Sequence, residues 1–204
     1  MLFISTVNDN LQQQAFAVFD QWFAGISQGE HCVGAHIVPK RGRSLLSKDA
    51  VAGNVPVVAG GLEPSTYHNI SNTAAPVITI SASGANAGFV NLWHIPVWSS
   101  DSSFIDSTMT DAVYFWYALL KKRQQEIFDS QTGSAQPHIY PQHIADLPLG
   151  YTAVAKMKEY HLLVKPLFTA IGKNMEENKR LADLRNTLLP KLMSGELDVS
   201  SIQI

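Results

Sequence analysis

The chain has a single cysteine in 204 residues, Cys32, so no disulfide can form within it, and such thiol usage fits a reducing cytoplasm. Long hydrophobic runs are absent. The longest, such as Pro76–Ile80, fall far short of the roughly 20 residues needed to cross a bilayer. Met1–Thr6 is briefly apolar but has no basic leading segment and no cleavage-type ending, so no signal peptide is expected. Charge is sparse, at 16% of residues, and the formal net charge is −2, which excludes a protein attractive to polyanions over its whole surface. Residues 1–30 hold Asp9, Asp20 and Glu30 and no lysine or arginine.

Several chemistries lack their residues. No Cys-x-x-Cys or His-Glu-x-x-His occurs, and His31/His36 and His138/His143 are five apart, one more than places two imidazoles on one helix face. Nothing near Cys32 supplies an activating environment for a thiolate. Asp101, Asp106 and Asp111 are evenly spaced without forming an acid–base or two-metal pattern, and Asp111 suits the first turn of a following helix. No nucleophile elbow or P-loop is present. An enzyme acting on a phosphorylated substrate would need a convergent base and nucleophile, and the chain shows neither.

What is present divides into three parts. Residues 6–25 read as a helix, capped by Thr6 or Asn8 and stopped by Gly25, with Val7, Leu11, Ala15, Val18, Phe19 and Trp22 on one side. From 26 to about 150, Gly, Pro, Ser and Asn interrupt short β-rich runs. Residues 55–59, 75–81, 89–93 and 103–106 are predicted strands, and 112–128 a helix that buries Val113, Trp116, Leu119 or Leu120 and Ile127. Residues 151–193 are helical, with a break or kink expected near Lys165 because Pro166 follows it, and fraying or termination near Pro190. Within that helix Leu167, Ile171, Asn174, Asn178, Leu181, Arg185, Leu188 and Leu192 recur by threes and fours. This is a heptad seam that needs a second helix. Asn174 and Asn178 either fix register from inside the seam or face water. The fold class is α+β: a mixed α/β domain flanked by helices that pack as a coiled-coil-like spacer, with boundaries at 1–28, 29–150 and 151–204.

Two small-residue loops and two basic clusters stand out. Residues 83–88, Ser-Gly-Ala-Asn-Ala-Gly, form either a plain strand connection or a turn whose free amides cradle a phosphate. Residues 132–138, Thr-Gly-Ser-Ala-Gln-Pro-His, form either an internally bonded turn or a reading loop. In the second case Gln136 matches an adenine edge and His138 a phosphate. Lys40, Arg41, Arg43 and Lys48 form one basic cluster and Lys121, Lys122 and Arg123 the other. Each is either solvated surface or part of a shared cationic face.

Taken together, these residues resemble the DNA specificity subunits of type I restriction-modification systems, over nearly the whole chain. Asn8-Asp-Asn-Leu-Gln-Gln-Gln-Ala15 with Phe19 and Trp22-Phe23 looks like the end of a central helical spacer. The 83–88 loop, residues 96–101 (Pro-Val-Trp-Ser-Ser-Asp) and residues 133–138 follow in the order found in the family's recognition domains. Residues 184–197, Leu-Arg-Asn-Thr-Leu-Leu-Pro-Lys-Leu-Met-Ser-Gly-Glu-Leu, look like its distal spacer helix and are the most specific part of the match. A full subunit carries two recognition domains and two spacers, so this chain resembles a half-subunit with one recognition domain.

The resemblance implies a non-catalytic, cytoplasmic protein that binds double-stranded DNA and no membrane. It pairs with a second copy or another half-subunit to read an inverted, bipartite target. It docks methyltransferase subunits and, through them, the restriction/translocase subunit. It holds no cofactor itself, S-adenosylmethionine belonging to the methyltransferase. The expected DNA contacts are Lys40, Arg41, Arg43, Lys48, Asn86, Lys121, Lys122, Arg123, Gln136 and His138. The expected dimer or partner interface is Leu11, Val18, Trp22, Ile171, Asn174, Asn178, Leu181, Leu184, Leu188 and Leu192. The alternative is an interaction module or degenerate half-subunit that joins the complex without reading DNA.

Overall fold

The computed structural model describes residues 2–133 and 135–196. Ser134 of the second loop and the tail 197–204, including Leu197 of the C-terminal motif, lie outside the described residues.

Helix α1 spans Leu2–Trp22. It starts before Thr6 and Asn8, so neither caps it. Gly25 follows the helix with φ +74°, the left-handed conformation that ends helices at little cost when no Cβ is present. The body is built on a four-stranded antiparallel sheet, ordered β2 (Lys40–Arg41), β8 (Ser102–Asp106), β5 (Val77–Ser81) and β6 (Val90–Trp93). A three-stranded sheet, β4 (Thr66–His68), β3 (Val55–Val58) and β7 (Trp98–Ser99), lies against it, with β3 parallel to β7. β1 (His31–Cys32) pairs with β9 (Pro148–Leu149). All four predicted strands form, with ends shifted by two residues or fewer.

The alternation along the four-stranded sheet explains its two neighbours. Ile78 and Ile80 of β5, Val90 and Leu92 of β6 and Ile105 of β8 join the large core with the helices. Val77, Phe104 and the half-buried Trp93 point the other way and pack with Val58 and Val97 of the smaller sheet layer. Successive strand residues face opposite sides, so a strand buried on both faces reads as continuously apolar rather than alternating.

The predicted helix over 112–128 is two helices, α2 (Val113–Lys122) and α3 (Gln124–Asp129), separated at Arg123. All eight residues from Val113 to Leu120 are buried. An apolar stripe covering one face is what an amphipathic surface helix shows. Burial all round marks a central helix, and α2 lies between the sheet, α1 and the long C-terminal helix. α4 (Pro141–Ala145) is a single short turn.

α5 runs unbroken from Val154 to Met193 and contains both Pro166 and Pro190. The expected interruption near Lys165 does not occur. An interior proline costs about 3 kcal/mol. Here Val164, Phe168 and Ile171 on either side of it are buried in the core, and that packing holds the helix together while Pro166 faces solvent. α1 lies antiparallel to α5. Lys156 Nζ bonds the Trp22 carbonyl at 2.8 Å, the Tyr160 hydroxyl donates to the Ala15 carbonyl at 2.9 Å, and Asn174 Nδ2 donates to Asn8 Oδ1 at 2.8 Å. Asn174 is therefore half-buried and paired within the chain, and Asn178 is half-buried. The three sequence segments share one hydrophobic core.

Candidate nucleic-acid interface

Four loops and one strand edge converge at one end of the sheets. β2 is an edge strand, paired with β8 through Lys40 opposite Phe104 and Arg41 opposite Ser103. Beyond it the chain is pinned to β7. The Arg43 amide donates to the Ser99 carbonyl at 2.9 Å, Trp98 Nε1 to the Arg43 carbonyl at 2.8 Å, and the Leu45 amide to Ser100 Oγ at 3.0 Å. Lys40, Arg43 and Lys48 are exposed and carry no ion pair among the described residues. Arg41 Nη2 meets Asp101 Oδ1 at 2.5 Å, and the other oxygen of Asp101 accepts from the Ser83 hydroxyl.

Ser83 opens the 83–88 loop. Gly84 and Gly88 sit at φ +80° and +87°, as a tight turn requires. The amides of Gly84, Ala87, Gly88 and Phe89 all donate to backbone carbonyls. These four donors are used within the fold. Gln131 and Gln124 clamp it from outside by bonding the carbonyls of Ala87 and Gly88 at 2.7 and 2.8 Å. Asn86 is half-buried.

The 132–138 loop lies beside it. The Gly84 amide bonds the Pro137 carbonyl at 3.0 Å, and the Ile139 amide the Ala82 carbonyl at 3.0 Å. Thr132 and His138 exchange backbone bonds of 2.8 and 3.0 Å, which makes this an internally bonded turn. Gln136 projects exposed from it, and the half-buried His138 ring stacks on Tyr140 with centroids 6.1 Å apart. Gly60 brings in a third loop. A Cβ there would lie 2.6 Å from the Ser83 carbonyl, so only glycine allows that approach. The structure thus gathers Lys40, Arg41, Arg43, Asn86, Gln136 and His138 at one end. Ser83, Asp101 and Gly60 tie the group together, and sequence reasoning did not single them out for this. Arg41 and Asp101 are sixty positions apart, and no local pattern links them.

The second basic cluster does not join this group. Lys121 Nζ bonds the Val90 carbonyl at 3.0 Å and lies 4.4 Å from the centre of the Phe89 ring. Burial holds its pKa below the ordinary lysine value. Lys122 pairs with Asp20 of α1 at 2.8 Å. Arg123 is only 5% exposed, forks onto Glu126 at 2.6 and 2.7 Å and bonds the Pro148 carbonyl at 2.5 Å. These cations fasten α2 and α3 to their surroundings. We expect Arg123→Ala to lower the unfolding free energy by about 1–3 kcal/mol, since it removes a buried side chain together with its bonds to Glu126 and the Pro148 carbonyl. A chemical-denaturation midpoint equal to that of the parent would contradict the internal role.

Of the expected interface residues, Leu11, Val18, Trp22 and Ile171 pack into the chain's own core. Leu181, Leu184, Leu188 and Leu192 are exposed. No cluster of three or more His, Cys, Asp or Glu side chains able to hold a metal ion occurs among the described residues. Nor is any helix among them long and apolar enough to cross a membrane.

No protein-family model matches the chain. It is 35% identical over 102 residues to the type I restriction enzyme MjaIX specificity subunit of Methanocaldococcus jannaschii, a match covering 48% of this chain and 23% of that protein. It superposes on the type I restriction-modification S subunit from M. genitalium with a TM-score of 0.66 at 20% identity, over 93% of this chain and 54% of that one. The HsdS subunit from Thermoanaerobacter tengcongensis gives a TM-score of 0.45 at 12% identity, over 96% and 54%, which is too low for a shared fold to follow. Over those 102 residues the chain is similar in sequence to the M. jannaschii specificity subunit, and it shares the mixed α+β fold of the M. genitalium S subunit. It spans about half the length of the M. genitalium structure, and its sequence match spans under a quarter of the M. jannaschii protein.

Proposed function

We propose that this chain is the DNA-recognition half-subunit of a type I restriction-modification complex. One observation carries the reading: the edge strand β2 with its exposed cations stands beside two interlocked loops whose polar side chains project from the same end. Lys40, Arg43, Lys48 and His138 hold backbone phosphates, and Asn86 and Gln136 reach base edges. Residues that hold phosphates add affinity for any sequence, and residues at base edges separate one sequence from another.

The chain is non-catalytic in this reading and works in the cytoplasm. Methylation, with its S-adenosylmethionine, and cleavage belong to the methyltransferase and restriction/translocase subunits. The exposed leucines of α5 pair with a second copy or another half-subunit, setting two recognition domains in inverted orientation, and serve as a dock for methyltransferase subunits.

Gel shifts with random duplexes, with and without the methyltransferase subunit, test this. Binding should weaken steeply with salt because phosphate contacts release counterions. The Arg43→Ala/Lys48→Ala pair should weaken binding to all duplexes alike and lower the slope of log affinity against log salt by about two. Unchanged affinity and slope would make this cluster ordinary surface. Complex formation without any duplex binding would favour the interaction module that does not read DNA.

A further inference from the structure

We propose that Arg41 is a base-reading residue that recognises guanine in the major groove, and that Asp101 is the positioning residue that aims it. This rests on reading the chain as a DNA-recognition domain. It separates Arg41 from Lys40, Arg43 and Lys48, with which the sequence groups it.

Arg41 is the cation of that cluster with a carboxylate partner, and the partner is itself immobilised. Asp101 Oδ1 takes the 2.5 Å bond from Arg41 Nη2 while Oδ2 takes the Ser83 hydroxyl. Both carboxylate oxygens are therefore occupied, and the Asp101 carbonyl also accepts the Ala82 amide at 3.2 Å. Ser83 is held from behind by the Gly60 loop, whose backbone approaches its carbonyl too closely for any side chain. The result is a brace across β2, the β7–β8 turn and the 83–88 loop. Arg41 nevertheless remains 45% exposed at its side chain.

Such an arrangement suits a base edge and not a phosphate. Arginine and aspartate together are electrically neutral, so the pair gains little from the polyanion's field, and the carboxylate repels a phosphate brought close. Guanine offers two neutral acceptors, O6 and N7, in one plane. A guanidinium has five N–H donors in a rigid fork. With one engaged by Asp101, two adjacent N–H groups are left for that acceptor pair. Restraining the side chain before binding lowers the entropy lost on contact. The same neutrality makes a mismatch costly, because no general attraction replaces the two lost bonds.

The test is selection of bound duplexes from a pool with random positions, using the full chain with its methyltransferase subunit, for the parent, Arg41→Ala, Arg41→Lys and Asp101→Asn. The parent pool should be enriched in guanine at one position. Arg41→Ala should flatten that position alone, by about tenfold or more, with the salt slope on the random pool unchanged. Arg41→Lys, which keeps the charge but not the fork, should flatten it as well. Asp101→Asn should weaken the guanine preference while binding to the random pool stays equal or becomes tighter, since a negative charge is gone.

The proposal is overturned if Arg41→Ala weakens all duplexes equally and lowers the salt slope by about one, the signature of a phosphate contact. It is also overturned if Asp101→Asn leaves the preference intact. A parent complex that retains no duplex defeats the DNA-recognition reading itself, and this inference with it. Thermal melting of Arg41→Lys and Asp101→Asn separates lost preference from lost folding.

Discussion

Replacing Tyr160 by alanine is expected to lower the unfolding free energy by about 3–5 kcal/mol, the cost of removing a buried aromatic side chain and leaving a cavity. Tyr160 is fully buried at the junction of α1, α2 and α5. Its ring lies 5.5 Å from Phe19 of α1 and 5.7 Å from Phe23 just beyond that helix, edge-on to both, and 6.5 Å from Phe115 of α2. Its hydroxyl donates to the Ala15 carbonyl at 2.9 Å. Burial raises the pKa of that hydroxyl above the ordinary tyrosine value, with Asp20 adding to the effect, so it remains a donor across the working pH range. Tyr160→Phe keeps the ring and removes one hydrogen bond, which costs about 1 kcal/mol. Urea denaturation of the three proteins separates packing from the bond. A loss for alanine no larger than that for phenylalanine would show that the aromatic cluster does little to join the flanking helices to the body.

The second large effect is expected in assembly. Leu188→Asp with Leu192→Asp should abolish self-association and leave the folded chain intact. Leu188 and Leu192 are 37% and 40% exposed, and Leu181, Leu184 and Leu189 are also exposed. Residues 181, 184, 188 and 192 step by three and four, so they form one stripe. Among the described residues α1 leaves that stripe uncovered. Among them the antiparallel pairing places Trp22 at Lys156 and Asn8 at Asn174, and the leucines beyond are left exposed. An aspartate in a hydrophobic seam desolvates a charge without a partner. At an exposed position of an isolated helix it changes stability by only about 0.5 kcal/mol. Analytical ultracentrifugation, with co-purification of the methyltransferase subunit, reads the assembly, and circular dichroism reads the fold. A variant with the mass and partner of the parent would remove this stripe from the interface.

How far the sequence could be read varied from element to element. The strands at 55–58, 77–81, 90–93 and 102–106 were legible because β-branched and aromatic runs bounded by Gly, Pro, Ser and Asn have few alternatives. The break at Arg123 was not, since the contacts of that residue, which include Pro148 25 residues on, are set by packing and not by its neighbours in sequence. Pro166 misled for the converse reason. Local geometry argues for an interruption, and the buried residues on both sides outweigh it. Asn174 was recognisable as a polar residue in an apolar seam, but that it meets Asn8, 166 positions away, follows only from the antiparallel packing of α1 on α5.

The same division holds for the site. By itself the sequence determined the order of the strands and small-residue loops, the leucine stripe of α5 and the residue types able to meet DNA. These depend on neighbours a few positions apart, where spacing and side-chain chemistry suffice. Tertiary structure alone decided which cations are available. It gave Lys121, Lys122 and Arg123 to carbonyls and carboxylates of neighbouring elements, left Lys40, Arg43 and Lys48 exposed and without an ion pair among the described residues, and set Arg41 against Asp101. Burial and ion pairing depend on distance through space, and packing brings together groups that the chain keeps far apart.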